Sequence, residues 1–485
     1  MLHIQNRAVL KRLLILLGLV LTTLPPALAQ QEETYDYQWC KQEIVDHGMQ
    51  ALLMCNGLFT SDRSLEQLFE QELKVLDSYL GKPHSGDYEV DWERKTVMVD
   101  LPGSASVMRA AYREGLGCIV LAPNQTFEDI DSLPVLQMPP LAGDPSTIPW
   151  PDGDLIEDQS LPPGVDQSAL EAAADWAFNQ QADKLVTLSL IVVYKGQIVL
   201  ERYAPGIEVN TKTRIWSVSK SIAATLIGIT VDQGKLSLDG PLELEWLPQV
   251  ASPETDPRRE ITLRHLLNMA SGLDPWQGPV QNYGAGSKLA YFGGASSVNL
   301  ALSKGLVRKP GTFWNYDNHN IFLEVHAMKK ALGSEQAYLE FPRRALLDRI
   351  GMRNTVLGVD RFGDFVMSSQ IYSNARDLAR FGMLYQQNGV WNGERILSEE
   401  WIEFVRTPVP LKMGIPQRYG GHWWLPADDL AGEFPEACTA TGSWGQYVIV
   451  IPSRELVIVR RGMDYAGDRL DPTRLALEVV KAFPQ

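Results

Sequence analysis

The 485-residue chain reads as an α+β protein with an antiparallel sheet at its centre. Two strand–turn–strand patterns carry this reading, one over Leu188–Arg202 and one over Gln446–Arg461, with mostly helical sequence between them. Strands at both ends of a region that is helical in its middle fit a sheet closed by that region's N- and C-terminal segments. A third observation sets where the region starts. Pro139-Pro140, Pro145, Pro149, Pro151 and Pro162-Pro163 crowd a stretch rich in Asp and Gly. It sustains neither a helix nor a central strand, so it reads as a linker or a wrapped surface arm.

At the N-terminus, Lys11 and Arg12 precede the apolar run Leu13–Leu24, and Ala27-Leu28-Ala29 supplies a small-x-small cleavage signature before Gln30. This is the layout of a secretory signal peptide over residues 1–29, and the apolar run is short for a membrane span. The expected protein is therefore secreted or periplasmic, with no stable membrane span after cleavage. Export makes Cys40, Cys55, Cys118 and Cys438 candidates for disulfides. Cys55 and Cys118 both adjoin glycine-bearing turns, which favours that pair, while Cys438 also reads as a small buried hydrophobe.

Residues 30–138 form a small mixed region. Leu65–Leu73 has helical periodicity, Tyr88–Trp92 alternates as a strand, and Thr96–Val99 is its hairpin partner. The Pro-rich segment spans 139–165, and the main body spans 166–485. In that body, Ala169–Gln181 reads as a helix, and Leu188–Tyr194 pairs through Lys195-Gly196 with Gln197–Arg202. A helix beginning near Ser217 runs to about Gln233 and stops at Gly234. Gln446–Pro452, the turn Ser453-Arg454-Glu455 and Leu456–Arg461 make the closing hairpin, followed by a helix over Thr473–Ala482. The formal net charge of −15 argues against nucleic acid or an anionic membrane surface as the main partner. It leaves a small-molecule substrate open.

The chemistry lies at Trp216-Ser217-Val218-Ser219-Lys220-Ser221. A serine hydroxyl is a poor nucleophile at neutral pH and needs a base within hydrogen-bond reach. In the first turn of a helix, residues three apart share a face, so the Lys220 amine can reach the Ser217 hydroxyl. The helix N-terminus adds free N–H groups and partial positive charge, and burial lowers a lysine pKa toward neutrality. One or two Ser-x-x-Lys matches are expected by chance in a chain of roughly this length, so the pair needs support from elsewhere. Downstream, Tyr316 and Asn318 stand in the turn-rich stretch Pro310–Asn318, a phenol for proton transfer and an amide for a substrate or for Lys220.

In order, Ser217–Lys220, Ile261–Leu273 (ITLRHLLNMASGL), Pro310-Gly311 and Tyr316-Asp317-Asn318 resemble the serine β-lactamase-related hydrolases. The resemblance is to the branch of class C β-lactamases, esterases and 6-aminohexanoate-oligomer hydrolases. Ala375–Gly382 (ARDLARFG) and Gly389–Gly393 (GVWNG) are similar to the same branch, and the likeness runs from roughly Leu185 onward. It implies a β-lactamase/transpeptidase-like fold, an antiparallel sheet flanked by helices plus a mostly helical subdomain, with an extra N-terminal region. It implies Ser217 as the acylated nucleophile, Lys220 as its base, Tyr316 as a proton relay to the leaving group and Asn318 as a substrate-orienting group. No metal and no cofactor are expected. His265, inside the second motif, is expected to be structural.

The third family motif departs from the pattern. Penicillin-recognising members carry Lys-Thr-Gly on the strand edging the site. Here that motif falls on Ala437-Cys438-Thr439 or, with a shortened loop, on Ala440-Thr441-Gly442. Either alignment lacks the lysine that meets a substrate carboxylate. In the first alignment the Ala440 N–H can still pair with that of Ser217 as an oxyanion site built from backbone, and Gly442, which closes the motif in the second, is expected with Ala440 to border the substrate. Trp216, Trp314, Trp423, Trp424 and Trp444 lie near these motifs and form either an apolar acyl pocket or ordinary core. The expected activity is a serine hydrolase acting through an acyl-enzyme on an ester or linear amide. A β-lactamase or D-alanyl carboxypeptidase is the enzymatic alternative, and a non-catalytic cell-wall ligand-binding protein the other. No Gly-x-Ser-x-Gly, His-Glu-x-x-His, dinucleotide or P-loop pattern is present.

Overall fold

The computed structural model describes residues 35–37, 41–73, 88–100, 106–157, 160–180, 184–275, 287–415, 418–427, 429–464 and 468–484. The expected signal peptide and Cys40 lie outside these residues. Helix α1 (Lys41–Cys55) lies on a four-stranded antiparallel sheet of β1 (Tyr88–Asp91), β2 (Thr96–Val99), β3 (Met108–Arg113) and β4 (Gly117–Val120). Cys55 at the end of α1 is disulfide-bonded to Cys118 in β4, the pairing that the sequence favours. Cys438 is free and buried. The periodic segment after Arg63 is helical, beginning as Leu65–Leu68 with Ser64 and Gln67 in a capping box and continuing as a wider turn over Phe69–Leu73.

The body opens with α2 (Gln167–Phe178) and the hairpin of β5 (Thr187–Tyr194) and β6 (Gln197–Tyr203). Lys195 and Gly196 both take positive φ at its turn, as the right-handed twist of a two-residue hairpin demands. Then follow β7 (Thr213–Arg214), α3 (Val218–Asp232), α4 (Asn318–Leu332), β8 (Val356–Leu357), β9 (Ile371–Ser373) and α5 (Ala375–Gln386). A small hairpin, β10 (Val390–Trp391) and β11 (Glu394–Arg395), precedes β12 (Arg418–Gly420), β13 (Trp423–Leu425) and β14 (Cys438–Gly442). The closing hairpin is β15 (Gln446–Ile451) and β16 (Leu456–Gly462), and α6 (Pro472–Val480) follows.

β16 pairs antiparallel with β5, Val459 opposite Ile191, so the two hairpins join into one sheet of order β12-β13-β14-β15-β16-β5-β6. Strand period two sorts its side chains between two cores. Val448, Val450, Val457 and Val459 face the helical interior with Ile222, Phe322 and Phe381, while Ile449, Ile451 and Ile458 pack against Leu475 and Val479 of α6 and Leu170 of α2. The result is the β-lactamase/transpeptidase-like, mixed α+β arrangement expected from the sequence. Helix α3 runs through the interior, buried from Val218 to Thr230, which explains its apolar residues on every face.

Glu33–Gln485 forms one compact unit. Ile44, Leu52 and Val97 share a hydrophobic cluster with Ile222, Phe322 and Phe381. The Pro-rich segment is strapped down by arginines of the body. Arg343 donates to the carbonyls of Met138 and Pro139, Arg353 to that of Ala142, and Arg380 to those of Pro151 and Gly153. Arg380 and Arg376 also meet Asp154. A chain too Pro-rich to pair with itself thus has its carbonyls satisfied by guanidinium groups.

Candidate active site

Ser217 occupies the N-cap position of α3, and Trp216 before it takes φ +51°, a conformation few non-glycine residues adopt. The kink is held on one side by Ile215, whose N–H donates to the Ile371 carbonyl of β9. On the other, the Arg214 guanidinium lies 3.8 Å from the Trp216 ring centroid and donates to the carbonyl and hydroxyl of Ser369. The Ser217 side chain makes no cap hydrogen bond and stays partly exposed.

One turn on, Lys220 is 1% exposed. Its ammonium donates to Ser217 Oγ at 3.1 Å and to the Ser368 carbonyl at 2.7 Å, and it lies 5.0 Å from the centre of the Tyr316 ring. Both hydrogen-bond partners are neutral. Burial accordingly pulls its pKa down to about 7, with the Asp317 and Glu324 carboxylates opposing the shift and Arg214 adding to it. Tyr316 is half-buried beside them. Desolvation pushes its phenol above the ordinary value, and a hydrogen bond with Ser217 pulls it part of the way back. Ser217, Lys220 and Tyr316, separated by up to 99 positions in the chain, are therefore in one place.

Asp317 caps α4, accepting from the His319 N–H, and this fixes Tyr316 just outside the helix start. Asn318, first residue of α4, points its amide at Ser287 Oγ, 2.9 Å away. It flanks the site and is not bonded to Lys220. His265 is a capping residue: its N–H donates to Thr262 Oγ1 and its Nδ1 accepts from the Thr262 N–H.

On β14, Gly442 is the residue brought against Ser217. A Cβ built on it would stand 2.4 Å from the Ile215 carbonyl oxygen and 3.2 Å from the Ser217 nitrogen, so only glycine lets the strand pass this close. Ala440 sits two residues back along the strand, fully buried against the core. β13 pairs with β14 only at Trp424 opposite Thr439, which leaves the Gly442 end without a strand partner on that side among the described residues.

A cavity of about 540 Å³ opens between β13, β14 and the start of α6, lined by Trp424, Leu425, Thr439, Thr441, Tyr447 and Arg469 among others; Ser217, Lys220 and Tyr316 do not line it, and Trp424 is the residue that joins its wall to Tyr316. Trp424 stacks on Tyr316 at 5.8 Å, Trp314 and Tyr419 close the same aromatic wall, and Trp216 meets Trp444 edge-on at 4.5 Å. Trp423, by contrast, is fully buried against Phe381 and Tyr385 and belongs to the core. Behind Lys220 is a feature with no local sequence signal. His422 Nε2 lies 2.9 Å from both oxygens of Glu324, its Nδ1 is bonded to Tyr419, and its carbonyl accepts from Ser221. The Ser368 carbonyl likewise was not foreseeable, because a backbone acceptor carries no residue-type signature.

The Beta-lactamase family profile matches residues 174–477. The chain belongs to the beta-lactamase family, which is a family of hydrolases. Over 300 residues it is 23% identical to the 6-aminohexanoate-dimer hydrolase of Paenarthrobacter ureafaciens, a match covering 58% of this chain and 74% of that protein. It is 30% identical to esterase EstB of Burkholderia gladioli over 175 residues, 31% of this chain and 43% of the esterase. Among solved structures, a family VIII carboxylesterase superposes with TM-score 0.50 at 15% identity, covering 66% of this chain and 98% of its own. That likeness shows the fold. Relative to the family match, residues 41–73 and 88–157 are additional structure packed onto the body.

Proposed function

We propose that the protein is an exported serine hydrolase that cleaves an ester or a linear amide through an acyl-enzyme on Ser217. The observation that carries this is the buried Lys220 ammonium at 3.1 Å from Ser217 Oγ, with its pKa drawn down to about 7 and no carboxylate directly bonded to it. A lysine in that state is neutral in a large fraction of molecules near pH 7 and accepts a proton. Lys220 takes the proton of Ser217 Oγ as the oxygen adds to the substrate carbonyl carbon, and the C=O electron pair moves to oxygen. The Ser217 N–H, with an N–H from the Gly442 end of β14, holds that oxyanion; the Ala440 N–H is one step further from the nucleophile. Collapse reforms the carbonyl and breaks the C–O or C–N bond. Tyr316, kept protonated by burial, gives the leaving group its proton and recovers one from Lys220. Water then adds to the acyl-serine and surrenders its proton to the same pair, which releases the acid and frees Ser217.

The substrate is a small ester or amide, and Asn318, with Ser287 behind it, borders its path. The third-motif lysine, which would meet a β-lactam's carboxylate, is absent, which favours acyclic substrates over β-lactams. The Lys11–Ala29 pattern supports export to the periplasm or medium.

The test is to incubate the protein separately with p-nitrophenyl acyl esters, a 6-aminohexanoate dimer and nitrocefin, with Ser217→Ala as control. Ester or amide turnover that vanishes in the variant is expected, with nitrocefin turned over weakly. Strong nitrocefin hydrolysis would favour the β-lactamase alternative. Stoichiometric acylation without turnover would favour a ligand-binding protein, and equal activity in both proteins would remove Ser217 from the mechanism.

A further inference from the structure

Where the N-terminal region meets the body, arginines gather out of solvent. Arg63 precedes the helical segment Leu65–Leu73, and it is 5% exposed. Arg214 of β7 is 2% exposed and stands directly opposite Tyr372 of β9. Arg461 of β16 is also buried and closes the end of that ladder, donating to the carbonyls of Thr213, Ser373 and Arg214. Arg63 and Arg214 both act electrostatically on the buried Tyr372 phenol, and Arg63 acts on Arg461, so the three charges share one neighbourhood.

Their compensation is incomplete. Glu72 is the one carboxylate of this group, and it is bonded to a single Arg63 nitrogen. Among the described residues Arg461 is bonded to carbonyl, hydroxyl and amide oxygens only, and Arg214 to the carbonyl and hydroxyl of Ser369, with aromatic rings of Trp216, Tyr291 and Phe292 but no carboxylate against its guanidinium. Arg63 Nε and Nη1 and Arg214 Nη1 are buried and have no hydrogen-bond acceptor among the described residues. Guanidinium stays charged in any protein environment, and a buried charge without a counter-charge is strongly unfavourable. A small anion in contact with these N–H groups resolves both the missing acceptors and the missing charge.

We propose that Arg63 and Arg214, with Arg461 behind them, form a buried site for a small monovalent inorganic anion, of which chloride is the natural occupant. It sits between the N-terminal region and the β7–β9 ladder, and none of the three arginines lines the cavity beside Trp424. Because Arg214 also supports the Trp216 ring, the anion fastens the added N-terminal structure to the strand that leads into Ser217. The inference does not depend on the hydrolase reading: it is a statement about binding and stability.

Two measurements test it on the full-length protein. Crystals soaked in sodium bromide should give an anomalous peak within hydrogen-bond distance of Arg63 and Arg214. Thermal unfolding in sodium chloride against sodium gluconate at equal ionic strength should show a saturable rise in Tm of about 2–4 °C with chloride. In Arg63→Lys, which keeps the charge but removes the planar donors, that rise should shrink. The double variant Arg63→Met/Glu72→Met, which removes the ion pair together, should lose it while remaining folded by circular dichroism. No bromide peak together with equal Tm in the two salts would overturn the proposal and assign these N–H groups to water.

Discussion

Among the described residues two lysines, Lys220 and Lys329, lie in the interior, and they are arranged in opposite ways. Lys329, on α4, donates to the Asp364 carboxylate at 2.9 Å and to the Phe362 carbonyl. Lys220, on α3, meets a serine hydroxyl and a carbonyl, with its nearest influential carboxylates, Asp317 and Glu324, acting from a distance. Both are buried, so burial does not distinguish them. The difference is the directly bonded counter-charge: Lys329 is tied into an ion pair, while Lys220 is left with a proton it can give up. Removing a partner from a buried pair damages stability, whereas removing an unpaired buried amine removes chemistry.

Replacing each lysine by methionine separates the two cases. Lys220→Met is expected to lower turnover of whichever ester or amide is hydrolysed by about 10³-fold or more with little loss of stability. Lys329→Met should leave kcat per folded molecule within a factor of about two but cost about 3–5 kcal/mol in denaturant titration, because Asp364 is then buried without its partner. A Lys220→Met protein that keeps wild-type turnover would erase the contrast. Tyr316→Phe comes next, with kcat expected to fall by about 10²-fold through loss of proton delivery. The pH profile then sharpens the comparison. Lys220 works when neutral and its pKa is lowered to about 7, so kcat/KM should rise as pH climbs through about 7 and level off above it. An acid limb centred near the ordinary lysine value would show that the base is not held as described. The smallest effect is expected for Gly442→Ala, where a Cβ meets the Ile215 carbonyl and moves β14 off Ser217, lowering kcat several-fold with KM less affected.

Much of this was legible from residues alone, for local reasons. The hairpin at Lys195-Gly196 announces itself by alternation and a turn that needs positive φ, and the opposite ends of the body pair as β5 and β16 because both runs are apolar on two faces. The Ser217–Lys220 contact follows from helical spacing, and the Tyr316 contribution from motif order. Other parts depend on contacts between residues far apart in the chain. Ser368 serves Lys220 through a carbonyl 148 positions away, and the Glu324–His422 pair is assembled by packing alone. The two alignments of the third motif could not be separated in sequence because they differ by a loop length. The strand bounds Cys438–Gly442 and the approach of Gly442 to Ser217 bring the Ala440-Thr441-Gly442 stretch to the site. The Pro-rich segment shows proline's effect on pairing but not the arginines that receive its carbonyls.

The pairing of β5 with β16 also bears on how the protein is made. Among the described strands β5 has only β6 beside it until Leu456–Gly462 is made, more than 260 residues later. The strand that edges Ser217 enters this sheet through β15 and β16, so a nascent chain carries Ser217 long before β14 can stand beside it. The surroundings of Ser217 are thus completed only after Leu456 has been made, and a chain truncated before it presents an open, apolar β5 edge.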